Sequence, residues 1–165
     1  MASRTQPLAI YLHDHLAGAA YALDLVKSIR DNYRGRELGD FDATLHEEIA
    51  ADKEVLHSLA SQFGPASNVV KDSVAWLAER VSRFKLSHGD PTGLGLFEAL
   101  EFLTLGIHGK AALWRVLSAL AERDDGFVKL NLTNFLGLAD EQERLLERFR
   151  LIVARNAFLN PSTSR

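Results

Sequence analysis

Residues 64–92, GPASNVVKDSVAWLAERVSRFKLSHGDPT, decide the fold. Gly64-Pro65 closes the helix before this stretch, because glycine takes the left-handed turn that ends a helix and proline cannot continue one. His88-Gly89-Asp90-Pro91 closes it on the far side. Ser67 is placed to cap a helix over about residues 68–87, on which Val70, Val74, Leu77 and Val81 share a face. The whole connection is about 30 residues, enough to travel the full length of a bundle of about 35–45 Å before the next long helix begins.

Outward from this connection the chain divides into two pairs of long helices. Asn32 to Asp40 (Asn-Tyr-Arg-Gly-Arg-Glu-Leu-Gly-Asp) separates a helix over about 6–31 from one over about 41–63. Thr5 is the expected cap of the first, and Pro7 is tolerated in its opening turn. After the connection, Thr92 is the expected cap of a helix over about 94–122, and Asp124-Asp125-Gly126 precedes one over about 127–158. The last residues, 160–165, read as a frayed tail. Each pair has a short link and is therefore an antiparallel hairpin, while the long connection makes the helices flanking it parallel. The whole chain, 1–165, reads as a single domain of an up-down-down-up four-helix bundle with an extra helix in its crossover.

Composition agrees. The 165 residues include 27 Leu and 21 Ala against 9 Val and 5 Ile, with 11 Gly and 4 Pro. That bias favours helices over sheets. Nineteen basic and 22 acidic residues leave a formal charge of −3, which argues against a nucleic-acid surface. Zero Cys excludes disulfides, thiolate catalysis and Cys-type zinc or iron–sulfur sites. The longest apolar stretch, Leu16 to Leu23, is far short of the ~20 residues of a membrane helix, and the N-terminal residues lack the apolar core of a secretion signal. A cytoplasmic protein with no nucleic-acid or membrane partner is expected.

At about 100° per residue, each long helix sets polar groups inside its apolar arc. The first has the stripe Leu8, Leu12, Leu16, Ala19, Leu23 and Val26, with His15 inside the arc. The second has Phe41, Leu45, Ile49, Leu56, Leu59 and Phe63, with Asp52 at its centre and Glu48 one turn away. The 94–122 helix has Leu96, Leu100, Leu103, Ile107, Ala111 and Trp114, flanked by Lys110. The last has Phe135, Ala139, Leu146, Phe149 and Val153, with Gln142 in the middle. These five groups lie at similar depths along the helices. Buried charges are costly unless paired, so His15, Glu48, Asp52, Lys110 and Gln142 form the candidate intrabundle polar site.

The crossover plan resembles the ferritin-like superfamily over nearly the whole chain. The strings Asp14-His15-Leu16-Ala17-Gly18 and Glu101-Phe-Leu-Thr-Leu-Gly106-Ile-His-Gly109-Lys110-Ala-Ala-Leu-Trp114 resemble an uncharacterised bacterial family within it. The superfamily resemblance implies a di-iron site made from a Glu on each of two helices and a Glu-x-x-His on each of the other two. This chain has a single Glu-x-x-His, Glu54-Val-Leu-His57, and the wheel turns Glu54 about 160° away from Asp52. The last helix has Gln142 in place of such a motif, the first offers His15, and Lys110 repels a cation. The complete site is therefore absent, and no cofactor is expected. A mononuclear alternative remains, in which His15, Glu48 and Asp52 hold iron or manganese in a metal-binding oxidoreductase. His108, the candidate for a further ligand, sits on a polar seam with Glu101 and Arg115. The leading expectation is a non-catalytic binding or structural protein.

Gly18, Gly106, Gly109 and Gly137 lie inside helices, each costing about 1 kcal/mol relative to Ala, and close helix packing is the expected reason. The 94–122 helix carries a second apolar stripe, Phe102, Leu105, Leu113, Val116 and Leu120. A helix apolar on two faces is covered on both, either by the crossover helix or by a second subunit, and a homodimer is expected if the crossover leaves it open.

Overall fold

A computed structural model describes residues 5–33, 41–64, 93–122, 127 and 130–159. Among them the chain is all-helical, with four long helices and no strand. We number them α1 (Thr5–Asn32), α2 (Phe41–Ser61), α3 (Leu94–Ala121) and α4 (Leu132–Leu159). The chain forms two compact units, Met1–Asp90 and Pro91–Arg165, so the divide falls within the long connection. The expected crossover helix at about 68–87, with Ser67, Val70, Val74, Leu77 and Val81, lies outside the described residues, as does the tail.

In the first unit α1 packs on α2 as an antiparallel hairpin. The direction follows from His13, near the start of α1, whose ring Nε2 donates to the carbonyl of Gly64 just past the end of α2 at 3.1 Å. The end of α2 tightens into a turn, with Phe63 N–H donating to the Ala60 carbonyl at 3.0 Å. Gly64 follows at φ 95°, a left-handed conformation that costs glycine little. The stop predicted at Gly64 is therefore made by its backbone. On α2, Leu45, Ile49, Leu56 and Leu59 of the expected stripe are buried, with Asp52 among them, and Phe63 is half-buried; the side chain of Phe41 lies outside what is described.

On α1 the prediction needs correction. Leu12 and Val26 are buried, but Leu8, Leu16, Ala19 and Leu23 are only half-buried. Towards the C-terminal end the buried residues are Tyr21, Leu25, Ile29 and Tyr33 instead. At about 100° per residue Tyr21 lies about 180° from Leu12, and each four-residue step moves about 40° back towards it, so the centre of this ladder sits roughly a third of a turn from the Leu12 side.

In the second unit α3 and α4 form another antiparallel hairpin. Its cross-helix contacts run in opposite senses along the two helices. Trp114 stacks on Phe135 near the connecting turn, with centroids 4.5 Å apart, and Phe97 meets Phe158 edge-on at 5.1 Å near the open end. All six residues of the predicted α3 stripe are buried, as are Ala139, Gln142, Leu146 and Val153 of α4, while Phe135 and Phe149 are half-buried.

Two boundaries in this unit differ from expectation. Gly93 (φ 72°), not Thr92, is the N-cap of α3, and no side chain caps it. α4 begins at Leu132, about five residues later than predicted. Asn131 competes successfully for the start: its Oδ1 accepts from Asn134 N–H at 3.2 Å, the usual role of an N-cap asparagine. The Leu130 N–H meanwhile closes a turn on the Phe127 carbonyl at 3.1 Å.

Among the described residues, close packing does not explain the helix glycines: a Cβ built at Gly18, Gly106, Gly109 or Gly137 meets none of their atoms within 4 Å. The second stripe on α3 is also mixed. Leu113 is buried and Phe102 half-buried, whereas Leu105, Val116 and Leu120 are exposed.

Candidate functional site

The five predicted polar residues divide between the two units. Asp52 is 6% exposed, set in the α2 stripe by Ile49 and Leu56 on either side. Glu48, one turn before it, is half-buried. His15 is also half-buried on α1, with its ring edge-on to Tyr11 at 4.6 Å. Burial pushes the His15 pKa below the ordinary 6.5 by penalising the imidazolium, and the neighbouring Asp14 carboxylate opposes that shift. His13, two residues earlier, points to Gly64 instead, as the roughly 200° separation of such neighbours requires.

In the second unit the structure joins Lys110 and Gln142, a pairing that the sequence pattern did not single out. The Lys110 ammonium donates to Gln142 Oε1, and Gln142 is 2% exposed. A charged donor to a neutral amide inside a hairpin fixes the register of the two helices without leaving a buried acceptor unsatisfied.

A second polar seam runs beside this pair. Arg150 holds Glu147 through two N–H···O bonds of 2.8 and 2.9 Å and reaches across to Glu101 at 3.1 Å, with its guanidinium 5.8 Å from the Phe97 ring centroid. The two bonds from Arg150 lower the Glu147 pKa by favouring the carboxylate, and Glu147 in turn raises that of Arg150. His108 pairs with Glu143 at 3.1 Å through Nε2 and meets the Thr104 carbonyl at 3.0 Å through Nδ1. The seam expected from His108, Glu101 and Arg115 is therefore made with α4 residues, and Arg115 is exposed. Glu147-x-x-Arg150 was visible in the sequence as an i,i+3 pair, but its link to Glu101 depends on hairpin register.

The Glu54–His57 motif lies where the wheel placed it, with both residues exposed. Among the described residues no group of three or more His, Asp or Glu side chains is arranged to hold a metal ion. None of the described helices is long and apolar enough to cross a membrane.

These features define an all-helical protein with a hydrogen-bonded polar pair inside one hairpin and a buried carboxylate in the other. In comparisons with known proteins, the chain matches no family model, no curated protein and no solved structure.

Proposed function

We propose that this chain is a ferritin-like, up-down-down-up helical bundle, with its crossover helix at about 68–87, that serves a binding or structural role in the cytoplasm. The observation that carries this reading is the Lys110–Gln142 pair. In di-iron bundles of this plan the facing mid-helix positions carry carboxylates and histidines. Mid-helix in the α3–α4 hairpin, this chain sets an ammonium against an amide. That pair offers a metal no anionic ligand and puts a positive charge beside it. Self-association belongs to the same reading, since Leu105, Val116 and Leu120 leave apolar surface on α3 in water.

Elemental analysis of protein purified without added metal tests the proposal. Iron and manganese are expected well below one per chain, with a melting temperature unchanged by chelator. Two tightly held iron ions per chain overturn it. One ion lost on His15→Ala or Asp52→Ala would also overturn it, in favour of a metal-binding oxidoreductase built on His15, Glu48 and Asp52.

A further inference from the structure

We propose that the outward face of α4 is a two-fold interface on which a second copy of this chain docks antiparallel. The inference rests on the self-association proposed above and goes beyond it by naming the face and the pairing.

An open groove of about 640 Å³ lies along this face. Its three acids already have basic neighbours within the chain: Asp140 meets Arg144 at 2.6 Å, Glu143 meets His108 at 3.1 Å, and Glu147 is held by Arg150. Arg148 and Arg155 line the same groove and are exposed, and neither has an ion pair among the described residues. Between them lie Leu151 and Ile152, 48% and 39% exposed. The face therefore presents two uncommitted positive charges around a small aliphatic surface.

The occupant follows from spacing. Arg148 and Arg155 are two turns apart, about 10.5 Å along the axis. Asp140 and Glu147 on the same face have the same spacing. An antiparallel pairing centred between Glu147 and Arg148 sets Asp140 opposite the partner's Arg155 and Glu147 opposite the partner's Arg148. Two-fold symmetry repeats both contacts, giving four opposite-charge contacts in which the solvent-facing carboxylates of Asp140 and Glu147 bridge their own arginine and the partner's. In the same register Leu151 and Ile152 lie opposite the partner's Arg144 and the partner's Glu143, whose aliphatic stems cover them. Sliding the helices to stack Leu151 and Ile152 on their own copies would bring Arg148 against the partner's Arg155, a like-charge contact that rejects that register.

The test measures the dimer dissociation constant of the whole chain by sedimentation equilibrium. For the native sequence it is expected to rise about tenfold or more between 0.1 M and 1 M salt, as the Debye length shortens from about 10 Å to about 3 Å. Asp140→Arg and Arg155→Asp are each expected to weaken self-association about tenfold or more, because each sets two like-charge pairs across the two-fold axis. Both positions are exposed, and far-UV circular dichroism checks that the fold is kept. An equimolar mixture of the two variants is expected to regain native affinity as a heterodimer. A native chain that stays monomeric to high micromolar concentration overturns both this inference and the self-association beneath it. Variants that dimerise as tightly as the native chain overturn the α4 interface alone and move the contact to another face, such as α3.

Discussion

Lys110→Met is expected to lower stability by about 1–3 kcal/mol, the range for stranding a buried hydrogen-bonding group. Gln142 is 2% exposed, so once the Lys110 ammonium is removed, water has little access to the Oε1 it served. Gln142→Leu removes the acceptor but keeps most of the volume. Lys110 is half-buried on a flexible stem, and no buried acceptor is left behind, so this substitution should cost less. In the double variant neither polar group is stranded, and the coupling across the cycle should reach at least about 1 kcal/mol. Urea denaturation followed by far-UV circular dichroism on the four proteins supplies the numbers. A Lys110→Met effect under about 0.5 kcal/mol, as for an ordinary surface change, together with zero coupling, would refute the internal role of the pair.

Other outcomes follow from the same physical features. The His15 pKa is lowered in the folded state, so the unfolded chain takes up this proton first as pH falls through about 6.5. Stability contributed by neutral His15 is therefore present above that pH and lost below it; urea midpoints at pH 7.5 and 5.5 should converge on His15→Gln, and an unchanged acid loss would exclude His15 as its source. Tyr21 is pushed up to about 12 by burial, so the unfolded chain ionises first and stability should fall as pH rises from about 10 towards 12. Tyr21→Phe should delete this late tyrosinate from the ultraviolet titration. Gly106→Ala should raise stability by about 0.5–1 kcal/mol, because the helical backbone suits alanine and its Cβ enters open space. Gly93→Ala should do the opposite, since φ 72° strains any residue with a side chain. Equal effects at these two glycines would contradict their assigned conformations.

The four long helices and most of their limits are legible in the chain, because capping residues, glycines and prolines act on their immediate neighbours. The same is true of the buried faces of α2 and α3. Their apolar residues repeat at helical spacing along most of each helix, and the stripe read from that spacing is the one the structure buries. On α1 two arcs compete, the Leu12 side and the Tyr21-Leu25-Ile29-Tyr33 ladder, and the neighbouring element decides which is covered at each level. Near α4 several start signals compete as well, and the Asn131 side chain wins over the earlier Asp124-Asp125-Gly126.

Among the polar residues, sequence alone shows that Asp52 and Gln142 lie at the centre of apolar stripes, since periodicity places them there. It does not show which charges meet. Lys110 with Gln142, His108 with Glu143 and Arg150 with Glu101 are joined across a turn by the register of the α3–α4 hairpin. One residue more or less in that turn shifts every opposing pair by about 1.5 Å and turns the side chains by about 100°. Helix formation is a local choice governed by each residue's near neighbours, whereas cross-helix pairing is a sum over the whole hairpin, and only the folded chain evaluates it.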